Sequence, residues 1–181
     1  MLKIFVVRHG ENQDNFDGIL NHRDLPLTEK KNQAKVLGLD ILNQGIVFDK
    51  IFSSPLLRAK QTAEIVSKTI LPKVEIIDAL IERDFGVMTG KGINDIKKLC
   101  FPDIIETDKV IYFLKPDETF PDLLKRAKKV LDFLKSEFLD NILLVCHGDI
   151  GKMLYAVYCG LEREVVLRNF HFDNKMLILS N

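Results

Sequence analysis

Two short apolar runs, Leu2 to Val7 and Ile142 to Cys146, each lead directly into a histidine followed by a glycine. The first continues as Arg8-His9-Gly10-Glu11 and the second as His147-Gly148. Such runs read as strands, each delivering its imidazole to the carboxyl end of a sheet. Open α/β sheets of that kind bind ligands outside the carboxyl ends of their strands. Two imidazoles are therefore expected at one sheet edge, with Gly10 and Gly148 letting backbone come close to a ligand. Arg8 adds a planar, permanently charged fork suited to phosphate oxygens. The pattern outlines an anion pocket.

Lys50 to Phe52, Val74 to Ile77 and Met176 to Leu179 are further strand candidates, with helical patterns between most of the runs. This alternation reads as βαβ units around a mainly parallel sheet, an α/β/α sandwich of three layers. Thr28 to Gln44 carries Ala34, Leu37 and Ile41 at helical spacing, with Thr28 as N-cap and Gly45 past the end. Ser54-Pro55 is expected to open the next helix, serine capping and proline at the first helical position. Leu124, Ala127, Leu131, Leu134 and Phe138 form a stripe that predicts a long helix from about Pro121 to Phe138. Ile150, Met153, Leu154, Val157 and Tyr158 predict another, with Asp149 as its N-cap and Gly160 at its end. Residues 91–120, with Pro102, Pro116 and a weak helical pattern at Ile93 to Leu99, read as a lid-like excursion from the sheet.

The 181 residues suit one domain, 1–181, with a sizeable core. Lys plus Arg and Asp plus Glu both total 26, so no global field favours nucleic acid or an anionic membrane, and any basic site must be local. Three cysteines, Cys100, Cys146 and Cys159, without a C-x-x-C pair fit a reducing compartment better than a disulfide scaffold or a zinc site. No apolar stretch is long enough to span a bilayer, and the run Ile4 to Val7 is too short for a signal segment. The expectation is a cytoplasmic protein with neither nucleic-acid nor membrane partners.

A lone strand-end histidine is more often structural than catalytic, but Arg8 and Gly10 beside His9 shift that balance. Arg58 alone would read as a solvated charge. Its helix follows a strand, however, so the first turn faces the same sheet edge as His9, and the helix dipole favours an anion there. Glu82, in Leu80-Ile81-Glu82-Arg83-Asp84-Phe85-Gly86, is a loop carboxylate that could donate the proton a leaving oxygen needs, with Asp84 as competitor. Cys146, at the end of an apolar strand, reads as core. His22, Arg23 and His171 read as surface or pocket rim, the first two as the better substrate contacts, and Asn174 as a turn residue.

Together these segments resemble the histidine phosphatase superfamily, the group of cofactor-dependent phosphoglycerate mutases, fructose-2,6-bisphosphatases and small phosphatases. Arg8-His9-Gly10-Glu11 with Asn15 is similar to its opening motif, and Asp24-Leu25-Pro26-Leu27-Thr28-Glu29 with Gln33-Ala34 to the segment after it. Ser53-Ser54-Pro55-Leu56-Leu57-Arg58-Ala59 with Gln61-Thr62-Ala63 resembles the second-arginine helix, and Glu82-Arg83-Asp84-Phe85-Gly86 with Gly90 the acidic loop. Glu118-Thr119 and Val145-Cys146-His147-Gly148 complete the order. The resemblance implies a phosphoglycerate mutase-like fold and a phosphatase for small phosphorylated metabolites that needs no metal and no cofactor. His9 would become a transient phosphohistidine, while Arg8, Arg58 and His147 hold the phosphoryl oxygens. Glu82 would protonate the leaving group, and Asn15 would line the pocket.

Lys31, Thr89 and Asp117 depart from the family's usual residues without touching that set. Asp149 is also less usual, and a negative charge there would sit close to the phosphate, so it either faces away or helps to select the substrate. Two alternatives stand beside hydrolysis. A mutase would return the phosphoryl group to the substrate, but the interval from Glu82 to His147 is short and contains only Arg83 and Arg126 as arginines. A silent member that binds a phosphorylated ligand is disfavoured by the presence of Arg8, His9, Arg58, Glu82 and His147 together.

Overall fold

A computed structural model of the chain describes residues 2–21, 24–28, 32–107, 111–113, 117–172 and 176–180. His22, Arg23, Lys31 and Asn174 lie outside the described residues. The order is β1 (Lys3–Arg8), α1 (Gln13–Asp17), α2 (Asn32–Asn43), β2 (Lys50–Ser53), α3 (Leu57–Ile70), β3 (Val74–Ile76), α4 (Ile93–Cys100), β4 (Ile104–Glu106) and β5 (Ile111–Phe113). It continues with α5 (Phe120–Ser136), β6 (Asn141–Cys146), α6 (Gly148–Cys159), α7 (Arg163–Asn169) and β7 (Leu177–Leu179).

Five strands form one sheet in the order β3-β2-β6-β1-β7, parallel throughout except for β7. Alternation along the strands divides the core in two. Ile4, Val6, Ile142, Leu144 and Cys146 face α5 and α6, whereas Phe5, Val7, Leu143 and Val145 face α2 and α3. Both faces are covered, which is why the strand sequences are continuously apolar rather than alternating. The result is a three-layer α/β/α arrangement. Gly38 of α2 lets α3 pack close, since a Cβ there would sit 3.0 Å from Thr69 Oγ1.

Register decides what the sheet edge presents. β1 pairs with β6 so that Arg8 faces Cys146, and β2 pairs with β6 so that Ser53 faces Val145. The ladder continues one step further through His9 N–H to Cys146 O (3.0 Å) and Ser54 N–H to Val145 O (3.0 Å). His9, His147 and Ser54 thus leave adjacent strands at one level.

Several helix boundaries differ from the sequence expectation. α3 begins at Leu57, not at Pro55, and its N-cap Leu56 makes no side-chain cap bond. Ser54 does accept the Leu56 N–H (3.3 Å), but its hydroxyl is also 2.8 Å from His147 Nε2, so it serves the site as well as the turn. α6 begins at Gly148 with His147 as N-cap, which overturns Asp149 as the cap; its side chain turns to an arginine instead. α5 ends at Ser136, leaving Phe138 beyond the helix and fully exposed although the stripe included it. Residues 91–120 contain α4 and the antiparallel pair β4-β5, more regular structure than the prolines suggested.

Leu134, wholly buried under α5, and exposed Phe138 make a direct comparison. Leu134→Ala should cost about 2–5 kcal/mol of unfolding free energy in urea, and Phe138→Ala less than about 0.5 kcal/mol. Equal losses would refute the division of this stripe.

Candidate active site

A cavity of about 650 Å³ opens at the carboxyl edge of β1 and β6, with Arg8, His9, Asn15, Glu82 and Gly148 among its walls. The loop after α1 is tied to residues 90–92 by Leu20 N–H to Lys91 O, Gly90 N–H to Leu20 O and an Ile19-Gly92 bridge, which closes one side.

His9 is 3% exposed and its Nδ1 lies 2.6 Å from the Gly10 carbonyl oxygen. A carbonyl can only accept, so Nδ1 carries the proton and Nε2 keeps its lone pair. Arg58 Nε donates to that Nε2 at 3.2 Å. Burial, together with Arg8 and Arg58, holds the His9 pKa well below the usual imidazole value, so the ring is neutral at physiological pH. The His147 ring lies 5.0 Å from that of His9, centroid to centroid. It too is kept neutral, by burial first and then by His9, Arg58 and Arg8. His147 Nδ1 and Arg8 Nε are buried without a hydrogen-bond partner, the kind of orphaned group that a bound anion satisfies.

Arg58 is 1% exposed, and burial lowers its pKa to about 10, so it remains charged. Neither Arg58 nor His147 is a wall of the large cavity. They stand behind His9, with Arg58 and Glu82 sharing a small adjoining cleft. Glu82 accepts N–H bonds from Arg83 (3.0 Å), Asp149 (3.2 Å) and Ile150 (3.2 Å), which seat its carboxyl on the start of α6. Burial nevertheless raises its pKa, with Asp149 adding to the effect. A carboxyl held towards its neutral form can deliver a proton.

Gly148 belongs to this wall; a Cβ there would lie 3.6 Å from Glu82 Oε2. Gly10 does not. Its missing side chain makes room for Leu27, 3.3 Å from the Cβ position, while its N–H donates to Thr62 Oγ1 and its carbonyl fixes His9. Close packing thus constrains that glycine. Asn15 lines the cavity while completing a capping box with buried Asn12. Half-buried His171 also lines it, whereas Cys146 is fully enclosed and its thiol is pushed up by burial. Asp84 is turned to its own loop, its Oδ1 accepting the Gly86 N–H.

Sequence reasoning left Arg126 on the long helix without a role. Its guanidinium forks onto Glu118 (Nε to Oε1 2.8 Å, Nη2 to Oε2 2.6 Å) while Nη1 donates to the carbonyls of Ala79 (2.8 Å) and Ile81 (2.5 Å). Glu118 in turn accepts the Asp84 N–H. This network holds the loop that carries Glu82. Arg83, Tyr112 and Lys152 were also passed over; each is buried against the cavity, and the bonds that bury them join segments distant in sequence. Among the described residues no group of three or more His, Cys, Asp or Glu could hold a metal ion, and no helix is long and apolar enough to cross a membrane.

The two histidines imply a testable stability profile. Between about pH 6.5, where an unfolded histidine titrates, and the depressed folded values, the unfolded chain binds protons that the native site refuses. Unfolding free energy should therefore decline as pH falls below about 6.5, by up to roughly 1.4 kcal/mol per pH unit for each histidine. Urea titrations should show a shallower decline for His147→Gln; a decline identical to that of the wild type would reject the assignment.

Comparison with known proteins places this geometry in a family. The model of the histidine phosphatase superfamily (branch 1) matches residues 4–179. A Hydrogenobacter thermophilus protein provisionally named phosphoserine phosphatase 2 is 31% identical over 96% of this chain and 86% of its own. A 2,3-bisphosphoglycerate-dependent phosphoglycerate mutase from Rhizobium etli is 32% identical over 92% and 83%. The crystal structure of Entamoeba histolytica phosphoserine phosphatase with 3-phosphoglyceric acid superposes with a TM-score of 0.78 at 24% identity, covering 98% of this chain and 90% of the other, and so shares the fold. The chain belongs to the histidine phosphatase superfamily, branch 1.

Proposed function

We propose that this protein hydrolyses small phosphomonoesters through a phosphohistidine on His9. One observation carries the reading: the bond from His9 Nδ1 to the Gly10 carbonyl leaves Nε2 as a neutral lone pair at a cavity wall. As a phosphoric monoester hydrolase of this family, it acts on small phosphorylated metabolites. Nε2 attacks phosphorus, the phosphorus–ester oxygen bond breaks, and the leaving oxygen takes the proton from Glu82. Water then attacks the phosphohistidine and gives a proton to the Glu82 carboxylate. The phosphorus–nitrogen bond breaks with its electron pair returning to Nε2.

Arg8, Arg58 and His147 supply the charge and donors that offset the equatorial oxygens in such a transfer. Arg58 Nε donates to the same Nε2, so attack on phosphorus requires its guanidinium to pass from His9 to the phosphoryl group. Asn15 and Gly148 bound the same pocket. His22 and Arg23 remain candidate substrate contacts. Residues 91–120 are read as a lid within one domain spanning 1–181. A location in the cytoplasm is part of the same proposal and is supported by free Cys100, Cys146 and Cys159. The mutase relative raises the alternative of phosphoryl return to substrate, but the short span from Glu82 to His147, poor in arginines, favours water as the acceptor.

Activity should survive EDTA and fall with vanadate, since the proposed charge stabilisation comes from side chains; loss on chelation that magnesium or zinc restores would refute it. Arg58→Ala should lower kcat/KM by about two to three orders of magnitude, with lysine rescuing only part because it loses the planar fork. Near-normal kinetics in the alanine variant would remove Arg58 from the site.

Acid and nucleophile separate by leaving group. Glu82→Gln should slow alkyl phosphates severely yet permit a burst of p-nitrophenol from p-nitrophenyl phosphate, with an acid-labile phosphoryl label on His9 in rapid-quench samples. With Glu82 intact, kcat/KM should rise with pH through the depressed His9 ionisation and fall as pH passes the raised Glu82 one. Equal slowing of both ester classes without label would dismiss Glu82 as the acid.

A further inference from the structure

Ser54 follows the last residue of β2 and, like His147, is wholly enclosed. Its Oγ lies 2.8 Å from His147 Nε2 and 3.3 Å from the Leu56 amide nitrogen. The other nitrogen of that ring, His147 Nδ1, is buried and has no hydrogen-bond partner.

These contacts locate a proton. The Leu56 N–H can only donate, so Ser54 Oγ commits a lone pair to it. Among the described residues the hydroxyl proton then has one acceptor, His147 Nε2, which can accept only while it is bare. Burial keeps the ring neutral, so a bare Nε2 leaves the single ring proton on Nδ1. The opposite tautomer fits worse. With the proton on Nε2, Ser54 Oγ would accept twice, its own proton would be enclosed without an acceptor, and Nδ1 would be a buried bare lone pair. Orphans of this kind are costly. The tautomer that Ser54 favours leaves one unsatisfied group, an Nδ1–H, and it is a donor like the buried and unpartnered Arg8 Nε. Phosphoryl oxygens, which only accept, satisfy both. His9 carries its proton on the same nitrogen, but there the partner is the Gly10 carbonyl and Nε2 is left bare. One tautomer thus equips two rings for opposite tasks, according to which nitrogen the protein occupies.

We infer that Ser54 is a positioning residue for phosphoryl transfer: its hydroxyl donates to His147 Nε2 and so holds that ring as an Nδ1–H donor to the phosphoryl group. The inference rests on the phosphatase reading for the identity of the bound group, while the tautomer itself follows from the hydrogen bonds of Ser54.

Nitrogen-15 NMR of histidine-labelled protein separates protonated from bare ring nitrogens, and His147→Gln identifies the signals of His147 by their loss. At neutral pH the wild type should show a protonated Nδ1 and a bare Nε2 at His147. Orthovanadate should move the Nδ1 signal and leave Nε2 bare. In Ser54→Ala both tautomers should be populated, and kcat/KM should fall roughly tenfold to a hundredfold, as it does when the outer partners that orient metal-bound histidines are removed. Added to His147→Gln, the same change should cost less than about threefold, because the two residues act as one unit. A protonated Nε2 in the wild type overturns the inference, as does an Nδ1 signal indifferent to orthovanadate or a tautomer unchanged by Ser54→Ala. Equal cost of Ser54→Ala in both backgrounds overturns it too, by placing the effect in the turn before Arg58. Should Ser54→Ala fail to fold, the wild-type tautomer and its response to orthovanadate decide alone. Failure of the phosphatase reading shows separately, as a wild type that turns over no ester while its ring nitrogens are still read.

Discussion

Everything at the candidate site depends on the in-register parallel pairing of β1 and β6. Arg8 opposite Cys146 puts the next residue of each strand, His9 and His147, side by side. Side chains alternate along a strand, so a slip of one residue would turn one imidazole into the opposite face and exchange the two halves of the core. What makes such a slip unfavourable is the fit of Ile4 to Val7 and Ile142 to Val145 into two different apolar layers, one on each face, by residues with no chemistry of their own. Core packing is thus what aligns the two rings.

Burial then gives ordinary side chains unusual properties. Enclosure holds the pKa of His9 and of His147 down and pushes that of Glu82 up, so groups tuned in opposite directions stand together beside Arg8 and Arg58. These are opposite consequences of one cause, since low polarity disfavours whichever form is charged. Backbone supplies the fine control. Gly10 O selects the His9 tautomer, and the first amides of α6 orient the Glu82 carboxyl while opposing the rise in its pKa that burial causes.

The sequence revealed most where chemistry sat on a regular element. His9 and His147 were legible because each ends an apolar run, and Arg58 because its helix follows a strand at the same edge. Ser54 misled because a capping hydroxyl and a hydroxyl that holds a histidine look alike until β2 is paired with β6. The packing of Gly10 was hidden similarly, as its neighbour Leu27 arrives from a loop that no local pattern links to it. Lys152 was hidden within an amphipathic helix, where a charged residue normally marks the solvent side; its burial depends on Tyr112 from β5. Arg126 was legible as a helix residue but not as a clamp, because its carbonyl partners lie in a loop without periodicity.

That clamp divides the inheritance of the site. His9, the proposed nucleophile, is mounted on the sheet, whereas the loop bearing Glu82, the proposed acid, is fastened through Arg126 and Glu118 to α5. The two residues therefore ride on different layers, Glu82 between the α5 clamp and the first amides of α6, so the packing of α5 through Leu123, Ala127, Leu131 and Leu134 bears on its loop and not on the strand that ends at His9. Substitutions deep under that helix would then act as a vernier on the separation between His9 and Glu82. Deliberate redesign would have in that packing layer a means of adjusting the site while both residues stay the same.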